Sequence, residues 1–264
     1  MKKLLGIVVL GLLWCGTNFT TVEAKSYNLD RATGDCKLTK NLFPTMNYDV
    51  YENTFIKLKL DFKFESGATY RDEGLLKNWY LIEKNYREAT MSCLTGKKQT
   101  CKKIIEHTKY LAENKAFFNN YGGPDNNDWY EATFINNHGI SHVLFAYWVA
   151  SQKISIDEKV KSKISKWAIK AVKRNSTARR PQGLNNHSLN SAKAYILAGG
   201  IFNNEKILSN GEKTFKKYLK KEFKQINDQH VVLPVEAERG SRGLYYTGRT
   251  INVMLFLATL LTDS

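Results

Sequence analysis

Two separate stretches of the sequence hold side chains that can move protons and bind an anion. The first, residues 185–188, reads Asn-Asn-His-Ser, and the second, residues 233–246, contains two arginines followed by two tyrosines. Two glycines among the charges of the second stretch favour a shaped loop over the middle of a helix. After Tyr246 the chain becomes apolar at helical spacing. The sequence therefore predicts a polar cluster that loops position just before a buried helix.

The two stretches, in this order and at about this separation, resemble the signature of the alginate lyases, which are polysaccharide lyases with an α/α toroid fold. The matching residues are Asn186-His187 upstream, then Leu233-Pro234, Glu236, Arg239, Arg242, Leu244 and Tyr246. The chain is shorter than we expect for that family. The resemblance therefore implies a mainly α-helical fold, an incomplete α/α toroid of antiparallel helical hairpins. It implies neither a metal nor another cofactor.

A lyase that acts on a 4-linked uronate polymer must neutralise the carboxylate, remove the proton at C5 and protonate the leaving oxygen at C4. The resemblance assigns Asn186 and Arg239 to the carboxylate, and His187 and Tyr246 to proton transfer. A guanidinium suits a carboxylate because it can bind both oxygens, and nearby arginines are expected to lower the pKa of the tyrosine. In mannuronate, one tyrosine could take the proton and pass it on. In guluronate the two groups lie on opposite faces, so His187 would be the base and Tyr246 the acid.

Each of these residues also has a structural interpretation. His187 could be a hydrogen-bonded structural histidine, and Arg239 could pair with Glu236 or Glu238 at a loop surface, where a pair stabilises little. A second group is predicted to line the substrate cleft, with core packing as the alternative for its aromatic members. That group contains Arg242, Tyr245, Trp129 and Tyr130.

Three positions depart from the family pattern and bear on the substrate. Leu189 and Asn190 stand where the family tends to have aromatic residues, and Thr247 stands where it tends to have a histidine. We expect β-elimination of mannuronate-rich alginate. The alternatives are a lyase for glucuronan or another acidic glycan, and a binder of acidic polysaccharide without activity.

Charge and the N-terminal segment point to an exported protein with an acidic partner. The formal net charge is +15 over 264 residues, which favours a polyanionic ligand such as acidic polysaccharide. No nucleic-acid recognition motif accompanies it. Residues 1–24 have a basic start, an apolar run and a small-residue cleavage site, as a signal peptide does. We therefore expect a catalytic domain at residues 25–264, periplasmic or secreted, monomeric, and off the membrane after signal cleavage.

The cysteines and the apolar spacing complete the predictions. Cys93 and Cys101 bracket a plausible turn and are predicted to form a disulfide, which leaves Cys36 unpaired. A partly alternating run at 51–64 favours a strand, with a helix as the alternative. Helices are predicted at 75–93, 100–118, around 140–148, from a Ser155 cap onward, at 188–198 with an end at Gly199-Gly200, and at 203–226 with a break near Gly211.

Overall fold

Helices make up almost the whole described part of the chain. A computed structural model describes residues 73–118, 127–176, 185–222, 224–225 and 231–261. The helices in chain order are α1 (Glu73–Leu94), α2 (Lys98–Glu113), α3 (Asn127–Lys153), α4 (Glu158–Arg174), α5 (Asn186–Ile201), α6 (Glu205–Glu222), α7 (Pro234–Ala237), a 3₁₀ turn (Gly240–Arg242) and α8 (Gly243–Leu261). Two short antiparallel strands, β1 (Lys224–Gln225) and β2 (Val231–Val232), precede α7. The predicted mainly helical class is confirmed.

Some predictions fall outside the described residues. These are the signal peptide at 1–24, Cys36 and the strand signal at 51–64. None of the helices described is long and apolar enough to cross a membrane.

The helices form two layers. In one layer α1 packs on α3, α3 packs on α5, and α8 packs on α5; α2, α4 and α6 cover the other side. The amphipathic spacing that predicted these helices also explains how the layers pack, because each helix buries its apolar face. Helix α4, for example, buries Ile164, Trp167, Ala168, Ala171 and Val172 along one face. The core therefore lies between the layers, and α5 contacts α3, α4, α6 and α8.

The first hairpin is closed by a disulfide. Cys93 near the end of α1 and Cys101 in α2 are bonded, and both are buried. The predicted pair is therefore confirmed.

Gly199 and Gly200 lie in the last turn of α5, which ends at Ile201, one residue beyond the predicted end. Gly211 does not break α6, contrary to prediction. These glycines let the backbones of the two helices approach closely. A Cβ at Gly199 would lie 2.6 Å from Leu208 Cα, and one at Gly211 would lie 2.7 Å from Ile196 Cγ1. Gly199 and Gly211 are therefore needed for the close packing of α5 against α6. A glycine interpreted only as a helix terminator or breaker does not predict this packing role.

Two other helix ends also differ from prediction. Asp157, and not Ser155, is the N-cap of α4, and its carboxylate accepts hydrogen bonds from the backbone N–H groups of Lys159 and Val160. Helix α2 ends at Glu113, five residues before the predicted end. The carbonyl of Ala116 in the turn that follows α2 accepts a hydrogen bond from Trp167 Nε1 at 2.9 Å, so α4 holds that turn.

Asn175, just after α4, connects three segments near the start of α3. Its side-chain oxygen accepts a hydrogen bond from Asn136 Nδ2 at 2.9 Å, and its backbone oxygen accepts one from Asn137 Nδ2 at 2.9 Å. Its own amide donates to the Phe117 carbonyl at 2.8 Å. All three asparagines are buried, so this network fixes the position of the α3 segment that carries His138.

Candidate active site

The N-terminus of α5 places the Asn-His pair. Asn185 is the N-cap, and its side-chain oxygen accepts hydrogen bonds from the backbone N–H groups of His187 at 3.0 Å and Ser188 at 3.4 Å. Such a cap satisfies donors that the first turn of a helix leaves open. Asn186 and His187 therefore lie in a defined helical turn, and both are buried.

Glu236 connects the two sequence stretches. Its side chain is fully buried, and Oε1 accepts a hydrogen bond from the backbone N–H of Asn186 at 3.0 Å. Oε2 lies 3.1 Å from Arg239 Nε. Burial raises the pKa of the Glu236 carboxyl, while the Arg239 guanidinium and the Asn186 N–H oppose that rise. One carboxylate thus holds the start of α5 and the arginine of the second stretch.

Arg239 in turn lies against Tyr246. Its guanidinium carbon is 4.4 Å from the centroid of the Tyr246 ring, within the range of a cation–π contact. Arg239 does pair with Glu236, as the structural interpretation held, but that partner is buried and is also bound to Asn186. The pair is therefore different from an exposed surface ion pair. Asn186, Arg239 and Tyr246 are joined through it.

The second stretch is more helical than predicted. Both tyrosines, Tyr245 and Tyr246, lie in the first turn of α8, which begins at Gly243. Gly240 and Gly243 are each required for a different structural reason. Gly240 has a positive φ of 60°, and a Cβ at Gly243 would lie 2.5 Å from the Ala237 carbonyl oxygen. The turn between α7 and α8 is therefore tight enough to bring Arg239 back over Tyr246.

His187 belongs to an aromatic stack that sequence reasoning missed. Its ring stacks on Phe134 of α3, with centroids 4.1 Å apart and an angle of 24° between the ring planes. His138, one turn further along α3, packs edge-on against the same phenylalanine at 4.5 Å. A signal was present: residues 136–138 repeat the Asn-Asn-His triplet of residues 185–187. Burial, followed by the charges of His142, Lys193, Arg249 and His187, lowers the pKa of His138 well below its usual value.

Tyr245 lies beside the catalytic candidates on the exposed side of α8. Its ring makes an edge contact with Tyr246, with centroids 5.5 Å apart. Arg249, one turn later, lies over the Tyr245 ring at 5.2 Å and is 4.0 Å from Glu83 of α1. Tyr245 is 56% exposed, so it can meet a ligand.

The other predicted substrate-binding residues are less defined by contacts. Arg242 is exposed on the 3₁₀ turn. Trp129 and Tyr130 belong to the first turn of α3, but the structure does not describe their side chains. Their role in the cleft remains a prediction.

The departures from the family pattern change the side chains that support the site. Leu189 is fully buried, and Asn190 is buried with its amide donating to the Asn186 carbonyl at 2.9 Å. Asn190 therefore binds within α5, where the family tends to have an aromatic residue. Thr247 follows Tyr246 on α8 and is half-buried.

This arrangement can bind an anion and move a proton. Helices α5 and α8 both begin here, and a helix N-terminus favours negative charge. Arg239 uses Nε for Glu236, which leaves the two terminal nitrogens of its guanidinium for a carboxylate. Asn186 Oδ1 is buried without a hydrogen-bond partner among the described residues. This oxygen is an acceptor and suits a ligand hydroxyl, whereas the amide nitrogen is the donor for a carboxylate. Within the same described part, no group of three His, Cys, Asp or Glu residues could hold a metal ion.

Comparison with solved structures supports the fold. The chain is similar to alginate lyase A1-III from Sphingomonas species A1, with a TM-score of 0.63 and 14% identity over 91% of this chain and 72% of that one. It is also similar to a histidine-to-alanine variant of alginate lyase A1-III complexed with a tetrasaccharide, with a TM-score of 0.63 and 15% identity over 91% and 71%. The predicted α/α toroid is confirmed by this likeness. No curated protein matches the chain.

A sequence model of one family, described as alginate lyase, matches residues 61–264. The match covers α1 through α8 and so includes every residue that joins the two stretches at Glu236. The chain belongs to the alginate lyase family and is a polysaccharide lyase.

Proposed function

We propose that this chain cleaves 4-linked uronate polymers, with mannuronate-rich alginate as the preferred substrate, by β-elimination. One observation supports it most: buried Glu236 binds both the Asn186 backbone and Arg239, while Arg239 lies over Tyr246. The groups proposed to bind the carboxylate therefore lie next to the group proposed to move the proton. The tetrasaccharide complex of the similar alginate lyase supports an acidic polysaccharide as the ligand.

The proposed reaction assigns one task to each group. Arg239 and Asn186 bind the uronate carboxylate and stabilise the negative charge that develops when C5 loses its proton. Tyr246 accepts the C5 proton, and the electrons of that C–H bond form the C4–C5 double bond. The C4–O bond breaks, and Tyr246 returns the proton to the leaving oxygen. For guluronate, His187 would take the proton and Tyr246 would donate to the leaving oxygen.

An ultraviolet time course tests the proposal. The purified chain lacking residues 1–24 is mixed in parallel with poly-mannuronate, poly-guluronate and glucuronan. The new double bond is conjugated with the carboxylate and absorbs in the ultraviolet, so we expect absorbance to rise fastest with poly-mannuronate. A faster rise with glucuronan would identify that polymer as the substrate. A flat trace with all three polymers would contradict the proposal.

Two tyrosine variants test the assignment of the proton shuttle. Tyr246→Phe removes one hydroxyl and should abolish nearly all turnover without unfolding the chain. Tyr245→Phe makes the same chemical change at the neighbouring exposed position, so it should retain most of the rate. If Tyr246→Phe kept the full rate, Tyr246 would not be the shuttle.

A further inference from the structure

Helices α5 and α8 run together beyond the candidate active site. Lys193 follows Asn186 by seven residues, which is two turns and about 10 Å along the same face of α5. Phe256 follows Arg249 by the same interval on α8. Lys193 Nζ lies 4.6 Å from the Phe256 ring centroid. The face that carries Asn186 thus continues to a lysine that α8 covers in part.

The described residues around Lys193 form a cluster with more positive than negative charge, which we call the basic cluster. It contains Lys193, Arg249, Arg87, His138, His142 and Glu83. Burial, followed by the charges of Lys193, Arg87 and Arg249, lowers the pKa of His142 to about 3. The pKa of His138 is lowered as well, so both imidazoles are neutral near pH 7. Three cations then remain, while Glu83 lies 4.0 Å from Arg249 and the carboxyl of Glu88 interacts with Arg87.

We propose that Lys193 and Arg249 form a second carboxylate-binding subsite, two helical turns from Asn186, which takes the acid group of a neighbouring uronate unit of the same polymer. This inference rests on the proposed function, because it extends the same cleft along the chain of an acidic glycan. It makes Lys193 a residue that determines how strongly a longer, charged substrate binds.

Three features of the cluster fit a polyanion in particular. Lys193 and Arg249 are both half-buried, so part of each side chain is exposed to solvent. Burial lowers the pKa of Lys193 to about 8, and Glu83 only partly opposes this change, so the lysine is a cation that its neighbours do not fully compensate. Tyr245 is exposed beside Arg249 and offers an aromatic face for a sugar ring between the two carboxylate sites.

To measure binding without cleavage, every variant also carries Tyr246→Phe, which should leave the polymer intact. The Tyr246→Phe protein alone is the background for comparison. The probe is poly-mannuronate, titrated calorimetrically at low and high salt. Adding Lys193→Met removes the charge, and losing a charge-assisted contact corresponds to roughly tenfold weaker binding or more with a smaller dependence on salt. Lys193→Arg should bind within about threefold of the background, since it keeps the cation.

Two further variants separate binding from a purely structural role. Lys170→Met is the matched control: Lys170 also lies over a phenylalanine ring, Phe118 at 5.2 Å, but it is exposed on α4, so affinity should not change. Glu83→Gln removes the competing carboxylate and should leave affinity equal or tighter. If Lys193 and Glu83 served only as a structural ion pair, both variants would weaken binding and lower the thermal midpoint together.

The outcomes distinguish this inference from the proposed function. Turnover by the wild type with Lys193→Met binding as tightly as the background would overturn the subsite alone. A loss with Lys170→Met equal to that with Lys193→Met would also overturn it, because general charge would explain both. Binding that depends on Lys193 without turnover by the wild type would support the subsite and contradict the lyase reaction.

Discussion

Glu236 shows what a single residue contributes to this site. The sequence placed it in the family signature and named it as a candidate partner of Arg239, but gave no link from it to Asn186. Its two contacts are a backbone N–H fifty residues earlier and a guanidinium three residues later. A backbone contact of that separation leaves no trace in local spacing, so it could not be predicted. The resemblance assigned roles to Arg239 and Tyr246 that agree with the residue types the reaction requires, and these roles stay predictions.

Replacing Glu236 should separate activity from stability. Glu236→Gln keeps an oxygen for the Asn186 N–H but loses the charged partner of Arg239. A hydrogen bond to a charged group contributes about 1.5–3 kcal/mol, so a roughly 10- to 100-fold fall in kcat/KM is expected. The thermal midpoint should hold or rise, because burial raises the pKa of the Glu236 carboxyl, which means that its charged form costs stability in the folded state. Steady-state rates and a thermal melt on the same sample test this, and wild-type activity in the variant would rule out the positioning role.

Lys193 gives the pH dependence of substrate binding. The charged and titratable groups that surround it are Glu83, Arg87, His138, His142 and Arg249. Since the pKa of Lys193 is lowered to about 8, its ammonium is present below that pH and lost above it. Binding of poly-mannuronate to the Tyr246→Phe protein should weaken as pH rises through about 8. Lys193→Arg should not show this change, because a guanidinium stays charged there.

Deprotonation of Lys193 should weaken substrate binding as pH rises, but it should increase the stability of the fold. Between about 8 and the ordinary lysine pKa of 10.5, the unfolded chain holds a proton at Lys193 that the native chain has released. The unfolded state then binds more protons, so this residue's contribution to the free energy of unfolding rises with pH. Urea unfolding of the wild type and Lys193→Met at pH 7 and pH 10 should show the two curves converging at the higher pH.

At the scale of helices, apolar spacing was a more reliable guide than glycine. The bounds of α1 and the buried face of α4 follow from side chains at three- and four-residue intervals. Gly199 and Gly200 predicted the end of α5 to within one residue, but Gly211 gave a wrong break in α6. A glycine that ends a helix and one that admits a neighbouring helix look alike in sequence, and only the partner distinguishes them. The start of α8 was misplaced for the same reason, since Gly243 makes room for the Ala237 carbonyl.

Two glycine-to-alanine changes should therefore have opposite effects. At Gly211 a Cβ would lie 2.9 Å from the Ile196 backbone nitrogen, and overpacking of this kind costs about 1–3 kcal/mol. At Gly248 on α8 nothing lies within 4 Å of the added Cβ, so alanine should stabilise by up to about 1 kcal/mol through helix propensity. Urea midpoints of the two variants test the pair. A stabilised Gly211→Ala would mean that α5 and α6 can separate easily.

At the scale of the whole molecule, the class of fold could be predicted and its layering could not. The spacing of apolar residues predicted helices on helices, but it does not state which helix neighbours which. The toroid came from the resemblance and is confirmed by the similar solved structures. The disulfide at the first hairpin was predictable because its cysteines are eight residues apart and bracket a turn.

Removing that disulfide should lower global stability while sparing the reaction. Closing a loop of this size contributes about 2–3 kcal/mol through the entropy of the unfolded chain. The double variant Cys93→Ala/Cys101→Ala should therefore unfold at lower urea concentration. Its rate at 25 °C should match the wild type, because the proposed catalytic groups are on α5, α8 and the turn between α7 and α8. A rate lost along with the bond would connect the first hairpin to catalysis.

The hydrogen bond from the Asn186 backbone to Glu236 also determines when the site can form during synthesis of the chain. The two residues are fifty positions apart, and ribosomes add about 5–20 residues per second. For roughly 3–10 seconds a growing chain therefore carries the Asn-His pair without the carboxylate that holds it or the tyrosine that completes it. The proposed site is complete only once α8 has been made, so we expect no activity while α1 to α6 already exist.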